Sequence, residues 1–306
     1  MNRTQKRCAI VVHGGAGGSK NDEPGCAAAA LAGLSRLSEG KEAIDAAVAA
    51  VVALEDDGRF NAGSGSILCL DGKTVEMDAS VMDTRGRLGA VACLQHVRNP
   101  VLVARAVADT PHWLLTGEGA ERFACLQGFE RYDAVNEESV ASHRSMMQRL
   151  ARQDSPAERS GSDNDAFRKY WNYPMPWDQA MKEYGCGTVG AVVLDTDGHF
   201  AVASSTGGAA PSLLGRIGDT PIVGCGYFAG MKGAVAATGI GEFIVKQLLA
   251  RTVYQWIDEG LPLQQAIDRG IALFPDDIGV GLIAVTHDAA AVSGNRTMPT
   301  HIIVRE

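Results

Sequence analysis

The sequence has no long apolar run, no excess of positive charge and few aromatic residues. Its 306 residues carry 28 Lys and Arg against 36 Asp and Glu, a formal net charge of -8. Without a basic excess, we expect neither nucleic acid nor an anionic membrane surface as a partner. No uncharged apolar stretch reaches the ~18 residues of a membrane span, and no signal-peptide core follows the polar N-terminus.

Cysteine and histidine are present, but without the spacings of a metal site. The seven cysteines are scattered with no C-x-x-C pair, and the seven histidines form no H-x-x-x-H pair. An odd number of scattered cysteines is typical of reduced thiols, so we expect a cytoplasmic protein without a disulfide framework. We expect neither a catalytic transition metal nor a cofactor for catalysis.

What the sequence does contain is 36 glycines, 46% hydrophobic residues and patterns of both strands and helices. Both halves mix the two, which predicts an α/β protein with sheets covered by helices. Asp195–Gly198 carries the signal of a hairpin turn between two of the strands. The patterns predict strands over 8–13, 88–97, 188–194, 200–204, 234–237 and 281–286, a hairpin over 68–82, and helices over 25–36, 42–54, 100–108, 242–259 and 262–274.

Residues 152–187 differ from the rest of the chain. Within them, 153–165 is polar and rich in loop-forming residues. Such a composition buries too little apolar surface to fix its conformation. We therefore predict a mobile linker over 152–187, placed just before the second group of strands.

Several glycine-rich loops follow predicted strands. The loop at 13–18 (HGGAGG) has a tight turn and a phosphate loop as alternative interpretations, and it lacks the G-x-G-x-x-G and G-K-[ST] spacings of the latter. In the second half, Gly185–Gly190 (GCGTVG) places Thr188 between glycines at the head of a strand. Three more loops carry Thr or charge: Ser204–Gly208, Gly215–Asp219 and Ala237–Glu242. Loops on a rigid scaffold are common places for function.

These loops occur in order with RFNAGSG at 59–65, EMDAS at 76–80, GEGA at 117–120 and TMP at 297–299. The combination resembles the plant-type asparaginase and isoaspartyl aminopeptidase family of N-terminal nucleophile (Ntn) hydrolases, which also contains the glycosylasparaginases. The resemblance implies a four-layer αββα sandwich, the Ntn-hydrolase fold, as a single domain over 1–306. It also implies self-cleavage between Gly187 and Thr188 into an α chain, 1–187, and a β chain, 188–306, and a homodimer of αβ units.

The chemistry of threonine supports this cleavage site. A threonine hydroxyl is a weak nucleophile and needs a base. An α-amino group has a pKa of about 8, so a useful fraction is neutral near pH 7. Cleavage before Thr188 therefore creates a base on the nucleophile's own residue. Gly187, without a Cβ, can hold a strained peptide whose carbonyl is attacked by the Thr188 hydroxyl.

The resemblance also implies the other catalytic roles. Thr206 lies beside Thr188 and hydrogen-bonds its hydroxyl or amine. The Thr238 hydroxyl and the Gly239 N–H form the oxyanion hole, which supplies the donors needed as charge develops on the carbonyl. Asn61 supports the active-site threonines.

The resemblance further implies a site for an amino-acid zwitterion. Arg216 clamps the α-carboxylate of the substrate, for which a planar fork gives bidentate bonding. Asp219 holds the α-ammonium group. Taken alone, the two charges have a surface ion pair in a turn as their alternative interpretation. The full substrate-binding set is Arg216, Ile217, Gly218, Asp219, Thr238, Gly239, Ile240 and Gly241.

A loop over 54–64 is implied to wrap a structural sodium ion. Backbone carbonyls suit a hard cation but leave little signature in the sequence. A loop held only by its own hydrogen bonds is therefore the alternative. The implied carbonyl ligands are those of Leu54, Glu55, Asp57, Phe60, Ala62 and Ser64.

The expected function is that of an autoprocessing amidohydrolase that cleaves β-aspartyl dipeptides and L-asparagine through a β-aspartyl ester on Thr188. Both substrates, one a dipeptide and one a small molecule, present the same α-amino-acid group, so the sequence does not rank them. The alternatives are a glycosylasparaginase-type amidase and a catalytically silent relative that binds an amino acid. Retention of all the threonines and charges of the motif argues against the silent relative.

Overall fold

A computed structural model describes residues 7–69, 71–135, 140, 169–174, 187–210 and 212–306. The strands are β1 (Cys8–His13), β2 (Met77–Asp83), β3 (Leu88–Leu94), β4 (Leu114–Thr116), β5 (Val189–Leu194), β6 (Phe200–Thr206), β7 (Tyr227–Gly230), β8 (Gly233–Gly239), β9 (Val280–Val285), β10 (Ala290–Gly294) and β11 (Thr300–Arg305). The helices are α1 (Glu23–Ser38), α2 (Ala43–Asp57), α3 (Pro100–Val107), α4 (Gly117–Leu126), α5 (Gly241–Gln247), α6 (Leu249–Asp258) and α7 (Leu263–Ile271).

Among these strands, the larger sheet has the order β11-β1-β5-β6-β2-β3-β4. Its pairs are antiparallel except for β3 with β4. Apolar and β-branched residues fill β1 and β5, and every residue of both strands is buried. Because β5 and β6 are antiparallel, the start of β5 lies beside the end of β6, where Val189 is opposite Ser205. This edge of the larger sheet brings together the predicted loops of Thr188 and Thr206.

The smaller sheet has the antiparallel order β10-β9-β8-β7 and packs on one face of the larger sheet. Successive side chains of a strand point to opposite faces, which decides what each strand residue meets. Ala9 and Val11 pack toward the smaller sheet, whereas Ile10 and Val12 pack on the other side. The core between the sheets also contains Val192, Leu194, Phe200, Val202, Tyr227, Ala229, Ala234, Ala236, Ile283 and Val285.

Helices pack on both sheets. The core of α1, α2 and α3 is continuous with residues of β1, β5 and β6, and its alanines, such as Ala46 and Ala50, are fully buried. Small side chains let a helix approach a sheet closely and still exclude water. On the smaller sheet, Val253 and Ile267 of α6 and α7 pack with Leu282 of β9. Within the described ranges, no helix combines the length and apolarity needed to cross a membrane.

The α/β class and most predicted elements are confirmed. The strand at 8–13, the two N-terminal helices and the helix beginning at Pro100 lie where the patterns put them. The hairpin of β5 and β6 is also confirmed, with Asp195 N donating to His199 O at 2.9 Å across its turn. Most of the predicted linker lies outside the described residues, which include only 169–174 and 187 of its length.

One predicted helix is wrong as a continuous element. Instead of running over 242–259, it is divided at Leu248, whose φ of 46° and ψ of 48° are left-handed. The break turns α6 toward the loop before β7. There Ala250 N donates to Cys225 O at 3.1 Å and Arg251 N donates to Gly224 O at 2.9 Å. Tertiary hydrogen bonds thus replace the continuation of a regular helix.

The predicted hairpin over 68–82 is also wrong. The described residues around Asp71 form a turn, closed by a Cys69 N to Thr74 O bond of 2.8 Å, but β2 begins only at Met77. Its partners are β3 and β6, and β6 is distant in sequence. The patterns also missed the helix α4 and the strands β4, β7, β10 and β11.

Candidate active site

The carbonyl of Gly187, which precedes Thr188 at the start of β5, is held by two side-chain donors. The Thr206 hydroxyl donates to this oxygen at 2.8 Å, and Asn61 Nδ2 donates to it at 3.1 Å. Such donors stabilise the negative charge that develops on a carbonyl oxygen when a nucleophile adds to its carbon. The two side chains therefore polarise the peptide bond at which the sequence predicts cleavage.

Asn61 is fixed in place by the rest of its hydrogen bonds. Its Nδ2 also donates to Gly208 O at 2.8 Å, and its Oδ1 accepts from Ile67 N at 3.0 Å. Its own carbonyl accepts from Gly207 N at 2.9 Å. A side chain whose donors and acceptors are all engaged loses little further freedom when a reaction occurs beside it. The loop at 59–65 thus supplies a preorganised donor to Gly187.

The side chain of Thr188 is enclosed. The residue is 5% exposed, and its Oγ1 lies 3.4 Å from Thr220 Oγ1. The imidazole of His13 is fully buried at the end of β1, and its two ring nitrogens have no hydrogen-bond partner in the described residues. Burial lowers the pKa of His13 to about 3, so this ring is neutral at physiological pH. The Thr188 hydroxyl thus lies in a buried setting next to the polarised Gly187 carbonyl.

Thr238 reaches the same region through the loop that follows β1. The residue is fully buried, and its Oγ1 accepts from Ala16 N at 3.2 Å. A hydroxyl that accepts a hydrogen bond keeps its own proton for donation. The backbone of Gly15, which precedes Ala16, approaches Thr188 so closely that an ideal Cβ would lie 3.3 Å from Thr188 N. Thr238, at the end of β8 beside Gly239, is thereby tied to the surroundings of the nucleophile.

The N–H groups of the loop at 13–18 are used within the protein. Gly14 N donates to Pro299 O at 2.9 Å, and Gly17 N donates to Thr297 O at 2.7 Å. With Ala16 N bound to a threonine hydroxyl, these groups are not arranged around an empty anion site. The contacts favour the tight-turn interpretation over the phosphate loop, and they explain why the TMP segment at 297–299 belongs to the motif set.

Arg216 binds a carboxylate of its own chain. Its Nε and Nη2 donate to the two carboxylate oxygens of Glu242 at 2.9 Å each. The Arg216 side chain is 18% exposed and that of Glu242 is 57% exposed. This fork geometry is the one by which arginine recognises carboxylates in ligands. The guanidinium of Arg216 is therefore oriented to bind a carboxylate by two hydrogen bonds, and here that carboxylate belongs to Glu242.

Asp219 is a buried carboxyl group beside Arg216. Its Oδ2 has no hydrogen-bond partner in the described part of the chain, and burial raises the pKa of Asp219 to about 7. An ideal Cβ on Gly241 would lie 2.8 Å from Arg216 Nη2 and 3.0 Å from Asp219 Oδ1. The glycine at the start of α5 thus brings backbone directly against both charged groups, and the pair is not a surface ion pair.

The other predicted substrate-binding residues lie in the same two loops. Ile217 is 40% exposed between Arg216 and Asp219. Gly218 N donates to Asp78 Oδ2 at 3.5 Å, which anchors this loop to β2. Ile240 precedes α5 and packs against the core of the smaller sheet. Gly239, with φ of 147°, ends β8.

The loop after α2 is closed by its own hydrogen bonds, and its glycines pack tightly against backbone carbonyls. Ideal Cβ atoms on two of its glycines would meet carbonyl oxygens: Gly65 would overlap that of Phe60, and Gly63 would lie 2.7 Å from that of Glu55. Ser64 Oγ donates to Glu55 O at 2.6 Å, and Ala62 N donates to Phe60 O at 2.8 Å. Each carbonyl oxygen retains a second lone pair, so a carbonyl that accepts one of these bonds can also bind a hard cation. The described residues contain no cluster of His, Cys, Asp or Glu suited to a metal ion.

Sequence reasoning missed residues that touch this site. Thr220, which contacts Thr188 Oγ1, directly follows the assigned Asp219. Glu242, the partner of Arg216, is the last residue of a loop in which residues 238–241 received roles. Asp78 lies within the EMDAS segment at 76–80. Adjacency to assigned motif residues was the available signal, but side-chain direction depends on how the loops fold together.

Comparison with known proteins identifies the family of the chain. A model of the family described as "Asparaginase" matches residues 6–303. The chain therefore belongs to this family, a family of Ntn hydrolases, and the resemblance inferred from the motifs is confirmed.

The relatives cover nearly the whole chain. The "Plant-type L-asparaginase" of Thermococcus kodakarensis is 39% identical over 293 residues, which are 90% of this chain and 89% of that protein. The "Plant-type L-asparaginase" of Pyrococcus horikoshii is 38% identical over 94% of this chain and 92% of its own. The "Isoaspartyl peptidase/L-asparaginase" of Homo sapiens is 37% identical over 95% of this chain and 91% of its own.

Proposed function

We propose that the protein is an autoprocessing amidohydrolase that cleaves β-aspartyl dipeptides and L-asparagine through Thr188. The observation that carries the proposal is the Gly187 carbonyl, held at 2.8 Å and 3.1 Å by Thr206 and Asn61 directly before a buried threonine. The names of the relatives, plant-type L-asparaginase and isoaspartyl peptidase/L-asparaginase, support the substrate class.

Autocleavage begins with the hydroxyl of Thr188. Its Oγ1 attacks the Gly187 carbonyl carbon, and the negative charge that forms on the oxygen is stabilised by the two donors already in place. The C–N bond then breaks, the Oγ1 proton passes to Thr188 N, and an ester joins Gly187 to Thr188 Oγ1. Water hydrolyses this ester, which leaves a carboxylate on Gly187 and both a free amine and a free hydroxyl on Thr188.

Turnover uses the new amine as the base. With a pKa of about 8 for an α-amine, a fraction of it is neutral near pH 7 and removes the Oγ1 proton as the hydroxyl attacks the side-chain carbonyl of the substrate. Thr238 and the Gly239 N–H stabilise the oxyanion. The proton moves to the leaving nitrogen, ammonia or an amino acid departs, and water hydrolyses the β-aspartyl ester to release L-aspartate.

Substrate recognition follows from the charges at the start of α5. Arg216 already binds a carboxylate by two hydrogen bonds, and the substrate's α-carboxylate takes the place of Glu242 there. Asp219 offers a buried carboxylate oxygen without a partner in the described residues, suited to an α-ammonium group. Because the two groups are adjacent, they select a free α-amino acid end rather than an internal peptide.

The experiment that tests this function compares wild type with Thr188→Ala. Freshly purified protein is kept at neutral pH, its intact mass is followed, and hydrolysis of a β-aspartyl dipeptide and of L-asparagine is assayed. Wild type should give chains 1–187 and 188–306 and should hydrolyse both substrates, whereas the variant should stay uncut and inactive. An uncut, inactive wild type that still binds an amino acid would favour the silent relative instead.

We propose several structural and cellular features together with this function. Two stacked sheets with helix cores on their outer faces support a four-layer αββα sandwich as one domain. The carbonyls of the loop after α2 support a structural sodium ion, held by Leu54, Glu55, Asp57, Phe60, Ala62 and Ser64, which rigidifies the segment that presents Asn61. We also propose a homodimer of αβ units in the cytoplasm, acting on small substrates without a catalytic cofactor or a nucleic-acid or membrane partner.

A further inference from the structure

The first cleavage of the chain has a chemical problem that later turnovers do not have. Before cleavage, Thr188 N is an amide nitrogen and is no base, so the α-amine that serves in turnover does not yet exist. The hydroxyl must nevertheless point a lone pair at the Gly187 carbonyl carbon. Positioning of a nucleophile by neighbouring groups then contributes directly to the rate.

In the described residues, the hydroxyl that reaches Thr188 Oγ1 is that of Thr220, at an oxygen-to-oxygen distance of 3.4 Å. Thr206 and Asn61 bind the Gly187 carbonyl oxygen instead. The electrophile and the nucleophile of the cleavage therefore have separate partners. Thr220 therefore contacts the nucleophile of the cleavage and not the carbonyl group that is attacked.

Thr220 is held rigidly where it is. The residue is 1% exposed, and its carbonyl accepts from Ser80 Oγ of β2 at 2.7 Å. The preceding carbonyl, that of Asp219, accepts from both Ile222 N and Gly226 N, at 3.0 Å and 3.1 Å. A hydroxyl on a backbone pinned from both sides keeps its direction without a large entropy cost.

We propose that the Thr220 hydroxyl orients the Thr188 hydroxyl for attack on the Gly187 carbonyl, and that it matters more for maturation of the chain than for turnover. This inference rests on the proposed autocleavage at Thr188. After cleavage, the freed amine of Thr188 lies beside the hydroxyl of the same residue. This amine then orients and deprotonates the Thr188 hydroxyl. Thr220 is then one of two groups acting on Oγ1, whereas before cleavage it acts without the amine.

The test measures maturation and turnover separately in Thr220→Val and Thr220→Ser. Valine keeps the shape and removes the hydroxyl, and serine keeps the hydroxyl. Uncut protein is isolated, the first-order rate of appearance of chain 188–306 is measured by intact mass, and kcat for a β-aspartyl dipeptide is expressed per mole of cut chain. Thr286→Val is the matched control, because it removes a hydrogen-bonded hydroxyl from a turn after β9.

The valine variant should mature about tenfold more slowly than wild type, the effect of one lost hydrogen bond in a transition state. Its kcat should fall by a clearly smaller factor, and the serine variant and the Thr286 control should mature at close to the wild-type rate. Thermal unfolding of the uncut chains establishes that they are folded. If valine prevents folding, Thr220→Ala replaces it.

Three results would overturn the inference. Wild-type maturation in a folded Thr220→Val or Thr220→Ala chain would show that the contact has no role. Equal losses in maturation and kcat would indicate a general packing effect. A wild-type chain that never cleaves would refute the proposed function itself, and this inference with it.

Discussion

Replacing Thr206 with valine removes one of the two donors on the Gly187 carbonyl while it keeps a β-branched side chain at the end of β6. The lost bond is short, 2.8 Å, and the residue is only 4% exposed, so water does not readily replace the hydroxyl. Loss of one oxyanion donor costs about 10²- to 10³-fold in rate, or about 2.7–4 kcal/mol of barrier. We expect autocleavage of Thr206→Val to slow by this factor rather than to cease, because Asn61 still donates.

The assay is a time course of intact mass on uncut wild type, Thr206→Val and Thr206→Ser at one pH and temperature. Serine keeps the donor and should stay within a few fold of wild type. It also keeps the acceptor for Gly208 N, which lies 3.2 Å from Thr206 Oγ1, and so controls for loss of that bond. A folded valine variant that cleaves within threefold of the wild-type rate would refute the assignment of this hydroxyl to the oxyanion.

Three further predictions concern substrate binding and packing. Glu242→Gln should lower the KM for L-asparagine by about two- to fivefold, because a neutral amide competes less well than a carboxylate with the substrate for Arg216. A raised KM in steady-state assays would contradict this prediction. As pH falls from about 8 to about 6, the KM for L-asparagine should rise. Burial raises the pKa of Asp219 to about 7, so below that pH the carboxyl loses its charge and no longer pairs with the α-ammonium group. Asp219→Asn should have a high KM that does not change with pH in this range. Gly89→Ala should destabilise the fold by about 1–3 kcal/mol in urea unfolding, because a Cβ there would overlap Ala104 O and lie 2.5 Å from Ala108 N of the chain after α3. Gly119→Ala, in α4 with no atom near its Cβ position, should unfold within about 1 kcal/mol of wild type, and equal losses in both variants would disprove the packing argument.

Strands and helices with strong local patterns were predictable. The buried run at 8–13 and the alanine-rich helices that follow it each have a residue pattern that favours one type of secondary structure. The break at Leu248 and the partners of β2 were not predictable from local pattern. Both depend on hydrogen bonds to residues that are distant in the sequence, such as those from Ala250 and Arg251 to the loop before β7.

In the active site, too, some features were predictable from the sequence and others were not. The threonine at 188, the glycine-rich loops and the charges at 216 and 219 could be found from the sequence because the motifs occur together and in a fixed order. The contacts among these residues could not be found from the sequence. That Thr206 and Asn61 converge on one carbonyl oxygen depends on the antiparallel pairing of β5 with β6 and on the position of the loop after α2.

The sequence by itself determined the family, the α/β class and the residue at which the chain is predicted to cleave, because these follow from residue type, order and local periodicity. Only the tertiary structure decided that Arg216 binds Glu242 and that Thr220 reaches the hydroxyl of Thr188. Hydrogen bonds and ion pairs require their atoms to lie within about 3 Å of each other in the right direction. That condition is set by the stacking of the two sheets and the course of their loops, which no local pattern encodes.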